Sequence, residues 1–223
     1  MKGILTAYHV QVEIRRRGGT FGLTLAEHPH SFFLDRDQYS EIQVGIPDDP
    51  IAHAALGPDL VFLRILSPLD IGTVAMKKSF FVVRRFPFDP ADLQPFSWFI
   101  AGTPAALTEP PEIPGTLNLA SLVGGAEFES RREQEDFDYI SLKVNSGTHR
   151  FPHDYGGLSG GGLWIIPFTK QDGEGPNRLD YHAPILGGVA YYQTAPSDGF
   201  QLIIGHGPKS IYKVLPEQVR SLK

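Results

Sequence analysis

Cysteine is absent from the 223 residues. That excludes disulfides, a thiolate nucleophile and any cysteine-ligated zinc site. No apolar run reaches the eighteen or so residues of a membrane-spanning helix. Positive charge is scarce as well. The formal net charge is −5, and the only basic clusters, Arg15-Arg16-Arg17 and Arg84-Arg85, are too short to form a nucleic-acid footprint. They read as solvated strand ends or turns. Met1-Lys2-Gly3 runs straight into an apolar segment, with nothing like a secretory leader. Together these absences point to a cytoplasmic protein with no membrane and no nucleic-acid partner. What remains, 41% hydrophobic and 20% charged residues, is ordinary globular composition.

Glycine and proline are plentiful, at 24 and 19 residues, and they punctuate short β-prone runs. The expected strands are 3–8, 20–26, 31–35, 41–46, 59–66, 79–84, 98–102, 117–129, 137–144, 162–168, 184–193 and 200–204. Tyr139-Ile140-Ser141-Leu142-Lys143-Val144 alternates cleanly, as a half-buried strand does. Many short strands between turn signals indicate an all-β barrel or sandwich. Pro-rich stretches at 86–96 and 104–116 flank Trp98-Phe99-Ile100-Ala101-Gly102, which places a domain boundary near residue 95. Residues 130–136 are charge-rich and read as an exposed hairpin tip. One helix is expected, at the C-terminus, with Ser210 capping 211–215 and Pro216 interrupting it.

The most informative segment is Gly157-Leu158-Ser159-Gly160-Gly161, followed at once by apolar Leu163-Trp164-Ile165-Ile166. Glycines around a serine let the backbone turn sharply, expose the hydroxyl and aim N–H groups at a developing oxyanion. Two further segments join it. Thr6-Ala7-Tyr8-His9 puts a histidine after a β-prone run, and Asp59-Leu60-Val61-Phe62-Leu63 puts an aspartate at the mouth of another. The order is His, Asp, Ser, with gaps of 50 and 100 residues.

These segments resemble those of the trypsin-like serine peptidases. Thr6 to His9 is similar to their Thr-Ala-Ala-His, Asp59 to Leu63 to their Asp-Ile-Ala-Leu-Leu, and Gly157 to Gly161 to their Gly-Asp-Ser-Gly-Gly. Pro184 to Tyr191 resembles the family strand that lines the specificity pocket. The resemblance runs from residue 3 to about 215 and is to the bacterial, non-secreted type. It implies two six-stranded antiparallel β-barrels of chymotrypsin type with a short C-terminal helix. Residues 1–95 would carry His9 and Asp59, and 96–223 would carry Ser159. Only eight residues precede His9, too few for the strands the family places there. The first barrel is therefore expected to lack its opening strands, and the true start to lie upstream of Met1.

The resemblance also implies roles. His9 is the general base, Asp59 its orienter and Ser159 the nucleophile, with Gly157 and Ser159 N–H groups as the oxyanion hole. His153, Val189, Ala190 and Tyr191 would line the substrate pocket. The activity is endopeptidase hydrolysis of a protein or peptide through an acyl-enzyme, needing no cofactor and no metal. Leu158 stands where secreted members carry an aspartate, so the oxyanion loop must be held by packing rather than by an ion pair to a freed amine. His153, at the position expected for the pocket floor, argues against a preference for basic side chains.

Other readings stay open. Singly, His9 reads as a strand-end histidine, and Asp59 and Ser159 as turn residues. The serine also fits the nucleophile elbow of α/β-hydrolases, with Asp180 or Asp198 and then His206 to complete it, but the alternating helices of that fold are missing. A non-catalytic binding module on the same barrel fold is the rival from another class. His28 and His30 lack a third ligand at zinc spacing, Asp172-Gly173-Glu174-Gly175 is too short for a calcium loop, and His182 has no assigned role.

Overall fold

The computed structural model describes residues 1–23, 32–46, 57–76, 80–81, 83, 95–109, 118–119, 121–148, 151–171 and 178–221. His28, His30, Arg84-Arg85 and Asp172 to Gly175 lie outside the described residues, as do most of both Pro-rich stretches. In chain order the first elements are β1 (Gly3–Thr6), α1 (Tyr8–Arg16), β2 (Phe21–Leu23), β3 (Phe32–Leu34), β4 (Tyr39–Gly45), β5 (Leu60–Ile65) and α2 (Pro68–Ala75). After them come β6 (Phe96–Gly102), β7 (Thr108–Glu109), β8 (Asn118–Leu119), β9 (Leu122–Gln134), β10 (Phe137–Asn145), β11 (Gly162–Gln171), β12 (Arg178–Tyr181), β13 (Ile185–Gln193), β14 (Phe200–His206) and α3 (Leu215–Ser221).

Six of these strands close into an antiparallel barrel. The order is β6-β9-β10-β14-β13-β11, and β11 returns to pair with β6. Closure leaves no free edge among the six. The far end of β11 continues past the barrel and pairs with β12. Alternation fills the interior. Ile140, Leu142 and Val144 of β10 point inward with Ile100, Leu163, Ile165 and Ile203. Each is at most 1% exposed, and burying a side chain of this size stabilises by about 1.5–3 kcal/mol. The tip of the β9–β10 hairpin is at Glu135-Asp136, within the charge-rich stretch.

The described strands before residue 95 form a three-stranded antiparallel sheet, β1-β5-β4, and a separate β2–β3 hairpin. They do not close a second barrel. Phe80, Phe81 and Val83, expected in a strand, lie outside any strand. The sheet packs on the barrel through Val44 and Leu60, which share a cluster with Leu186 and Val189 of β13 and with Ile211, Val214 and Leu215.

Two helices depart from the sequence reading, which expected only a terminal one. In α1, Val10, Val12 and Ile14 alternate like a strand. Yet Gln11 is fully buried while Val12 is 42% exposed, so the helical face decides. Gln11 is held by its amide donating to Glu41 at 2.7 Å. The helix ends where Gly19 N–H reaches back to Ile14 O at 2.9 Å, a six-residue closure typical of helix C-termini. Arg15 and Arg16 thus sit in a last helical turn rather than at a strand end, and Arg15 Nε donates to Glu41 at 2.7 Å. Helix α2 opens on Ser67-Pro68. The Ser67 hydroxyl accepts from the N–H groups of Leu69 and Asp70, and proline occupies the first helical position.

At the C-terminus, Pro216 does not interrupt the helix. A widened turn over Ser210–Val214, closed by Leu215 N–H to Ser210 O, carries the chain into α3. Widening relieves the clash that the proline ring would make with the carbonyl four residues earlier.

Candidate active site

The register of the first sheet brings His9 to Asp59. Gly3 lies opposite Arg64 and Thr6 opposite Val61. Continuing that antiparallel ladder sets residue 8 against residue 59. Asp59 just precedes β5, and His9 is the second residue of α1. The aspartate is 3% exposed and grips the histidine twice. One carboxylate oxygen accepts the His9 backbone N–H at 2.8 Å, and the other lies 2.5 Å from the ring Nδ1. With a carboxylate as its partner, Nδ1 is the ring nitrogen placed to donate. The His9 side chain is 42% exposed.

Ser159 sits on the turn between β10 and β11, and that turn is pinned on both flanks. Leu158 N–H donates to Tyr155 O at 2.9 Å, and Gly161 N–H to Leu158 O at 2.7 Å. Gly160 N–H donates to Ala190 O at 2.8 Å, and Ala190 N–H returns to Gly161 O at 2.9 Å. Gly157 and Gly160 have φ of 88° and 86°, a region L side chains rarely adopt. Gly160 is needed for space as well. A Cβ there would collide with the Thr6 hydroxyl, three residues before His9. The missing side chain lets the serine turn come up against β1.

Leu158 is 3% exposed and belongs to the barrel core, where it touches Gly102. Packing therefore holds this loop. Neither Gly157 N–H nor Ser159 N–H donates to any other group among the described residues. Both N–H groups flank Leu158 on the same turn as the half-buried Ser159 hydroxyl, and Gly157 itself does not line the cleft described below. The Ser159 hydroxyl itself donates to Tyr191 O at 3.3 Å, and no hydrogen bond joins it to His9 among the described residues.

His9, Asp59 and Ser159 line one cleft of about 460 Å³, with Tyr155, Leu158, Ala190, Tyr191, Tyr192, Gln193 and Ile203. That volume is within the range of small-ligand sites. Two of the expected pocket residues, Ala190 and Tyr191, are on its wall. The other two are elsewhere. His153 is exposed. Its carbonyl is tied down by Ser146 Oγ and Gln201 Nε2, both at 3.2 Å, and its ring does not line the cleft. Val189 faces the opposite way along β13, into the cluster with Leu60 and Ile211. Asp154, beside His153, is held ionised below the usual carboxylate range by the Gly156 N–H and the Gln193 amide.

One residue at this site was weighed in the sequence only as the histidine of the α/β-hydrolase alternative. His206, at the end of β14, is fully buried, and its Nε2 accepts the Asp59 backbone N–H at 2.9 Å. An accepting Nε2 puts the ring proton on Nδ1, which has no partner among the described residues. The ring is enclosed by Tyr191 at 5.0 Å, Tyr139 at 5.1 Å and Phe137 at 5.7 Å between centroids. Burial pushes its pKa down from 6.5 to about 3, against the opposing pull of the Asp59 charge and hydrogen bond. His206 is neutral at ordinary pH.

The same placement removes the α/β-hydrolase alternative. Ser159 leads into a strand of an antiparallel barrel, not into a helix. Asp198 is exposed on a hairpin turn, and His206 is committed to Asp59. No group of three or more metal-ligating side chains gathers among the described residues, and no described helix is long and apolar enough to cross a membrane. Models of known protein families match no part of the chain, and no curated protein is a recognisable relative.

Proposed function

We propose that this chain is a serine endopeptidase of trypsin-like type. The observation that carries the reading is the His9–Asp59 pair, 2.5 Å apart, on one cleft with Ser159. The Ser159 hydroxyl leaves Tyr191 O and attacks the carbonyl carbon of a bound peptide. Its proton passes to Nε2. Asp59 keeps the imidazole in that tautomer and stabilises the imidazolium. The carbonyl oxygen becomes an oxyanion held by Gly157 and Ser159 N–H, where one donor is worth about 3 kcal/mol. When the intermediate collapses, the C–N bond breaks and His9 gives its proton to the leaving amine. Water, deprotonated by His9, then releases the acyl group from Ser159.

The finer architecture belongs to the same proposal. The β1-β5-β4 sheet and the β2–β3 hairpin are taken as parts of an N-terminal barrel over residues 1–95 that lacks its opening strands, joined to the closed one near residue 95. The lack of cysteine suits a reducing compartment, and the proposed location is the cytoplasm.

The test is phosphonylation by a fluorophosphonate, which labels an activated serine and ignores an inert one, followed by casein cleavage. Labelling and cleavage that vanish together in Ser159→Ala support the enzyme. One observation favours the rival, a binding module that keeps the residues without the reaction: the Ser159 hydroxyl is engaged by Tyr191 O rather than by His9. A wild-type chain that takes up no fluorophosphonate and cleaves nothing decides for that rival.

A further inference from the structure

The two halves of the proposed catalytic site come from different sheets. His9, at the start of α1, and Asp59, just before β5, flank the β1-β5-β4 sheet, and Ser159 sits on a turn of the barrel. Efficient proton transfer needs them aligned to a fraction of an ångström. The hydrogen bond from Asp59 N–H to His206 Nε2 spans 147 residues of sequence and crosses between these sheets. It is fixed at both ends. His206 lies opposite Tyr139 of β10 and Val189 of β13 in the barrel ladder, and its ring is walled in by Phe137, Tyr139 and Tyr191. Asp59 spends its two carboxylate oxygens on His9.

We propose that His206 is a positioning residue. It accepts the Asp59 backbone N–H and so sets where the Asp59 carboxylate, and through it the His9 ring, stands relative to Ser159. The proposal rests on the peptidase reading for its purpose but not for its geometry. The ring suits the task because it is rigid and neutral. A protonated ring would have two donors and no acceptor, and the bond would be lost. The ionisable groups near it are Asp59, the phenols of Tyr139 and Tyr191, and Arg132, whose guanidinium lies 4.2 Å over the Tyr139 ring. Burial raises the Tyr139 phenol to about 12 and Tyr191 higher still, so neither ionises nearby at neutral pH. The unpartnered Nδ1–H is the unfavourable counterpart of this arrangement. A buried donor without an acceptor is disfavoured, and it persists where the other nitrogen is required.

The experiment compares the wild-type chain with His206→Leu, which has no acceptor, and His206→Gln, whose Oε1 can accept the same N–H. Circular dichroism confirms folding at the assay temperature, and His206→Met replaces the leucine variant if that one does not fold. Two readouts are taken. The first is the far-downfield proton resonance of His9 Nδ1–H bonded to Asp59, which needs no catalysis. The second is the rate of fluorophosphonate labelling. Removing the acceptor is expected to abolish or broaden the resonance and slow labelling about a hundredfold, the effect of a misplacement of about 1 Å. Glutamine is expected to keep the resonance and most of the rate. If leucine and wild type share the resonance and the rate, or if glutamine and leucine lose both equally, His206 merely packs and the proposal fails. If the wild type is never labelled, the peptidase reading fails. The resonance alone then decides whether His206 positions the His9–Asp59 pair.

Discussion

A neutral histidine sealed in an apolar cage makes the fold acid-sensitive in a way that can be separated from every other titration. The perturbation is His206→Gln. The imidazole pKa is 6.5 when free and about 3 when buried, because desolvation outweighs the attraction of Asp59. Between those values the unfolded chain binds a proton that the native chain refuses. The group's contribution is therefore fully present above pH 6.5 and is lost as pH falls toward 3. One pH unit in that window removes about 1.4 kcal/mol, so going from pH 7 to pH 4 removes about 3 kcal/mol. That is a large part of a typical stability of about 5–15 kcal/mol. Equilibrium urea unfolding at pH 7, 6, 5 and 4 measures it in both proteins. Carboxylates held low by their partners, such as Asp154 and Glu133, also destabilise on protonation, but they are common to both proteins and cancel in the difference. The stability advantage of wild type over the glutamine variant should shrink by about 3 kcal/mol across the range. Parallel pH curves would refute the argument, since His206 would then be as easily protonated in the native state as in the unfolded one.

Three other substitutions and substrates probe the site from different sides. Gly160→Ala places a Cβ against the Thr6 hydroxyl at a φ of 86°; fluorophosphonate labelling should slow at least tenfold, by about the factor that a sub-ångström shift of Ser159 produces, and an unchanged rate would show the approach of β1 to be slack. Leu158→Ala removes a side chain that is 3% exposed in the barrel core; urea unfolding should report a loss of about 2–5 kcal/mol, whereas a loss below about 1 kcal/mol would mean that packing does not hold the serine turn. Among the described residues, the cleft wall of Tyr155, Leu158, Ala190, Tyr192 and Ile203 carries no charged side chain apart from the proposed catalytic pair; peptide amides with leucine or valine before the scissile bond should be cleaved with kcat/KM at least tenfold above those with arginine or lysine, about what one unpaired buried charge would impose, and the opposite ranking would remove this cleft as the side-chain site.

Local chemistry decided what could be read from the sequence. β10 was legible because its inward and outward residues differ in kind, and the serine turn because only glycines tolerate its backbone. The meeting of His9 with Asp59 was expected only from the family resemblance, since nothing local to either segment shows that β1 pairs with β5. α1 was not legible, since Val10, Val12 and Ile14 repeat with the period of a strand while the buried residue between them is a glutamine. α2 hid behind exposed Leu69 and Met76, and only its Ser67-Pro68 opening marked it. His153 was assigned by counting back from Ser159, but counting cannot foresee that its carbonyl would be claimed by Ser146 and Gln201 and its ring left outside.

β13 shows the deeper reason. It is buried from Ile185 to Tyr191, on both faces, because one side closes the barrel and the other receives the first sheet and the C-terminal helix. A strand buried on both faces has no polar alternation to say which residues turn toward a cleft. Val189 and Ala190 are equally apolar in sequence and point to different clusters in space. His206 is the same problem in its sharpest form. Its partner is a backbone N–H 147 residues away, a group that every residue except proline possesses. No side-chain pattern can signal such a bond. Only closure of the barrel against the first sheet defines it, and for that reason a residue with no motif around it can govern the geometry of residues whose motifs are plain.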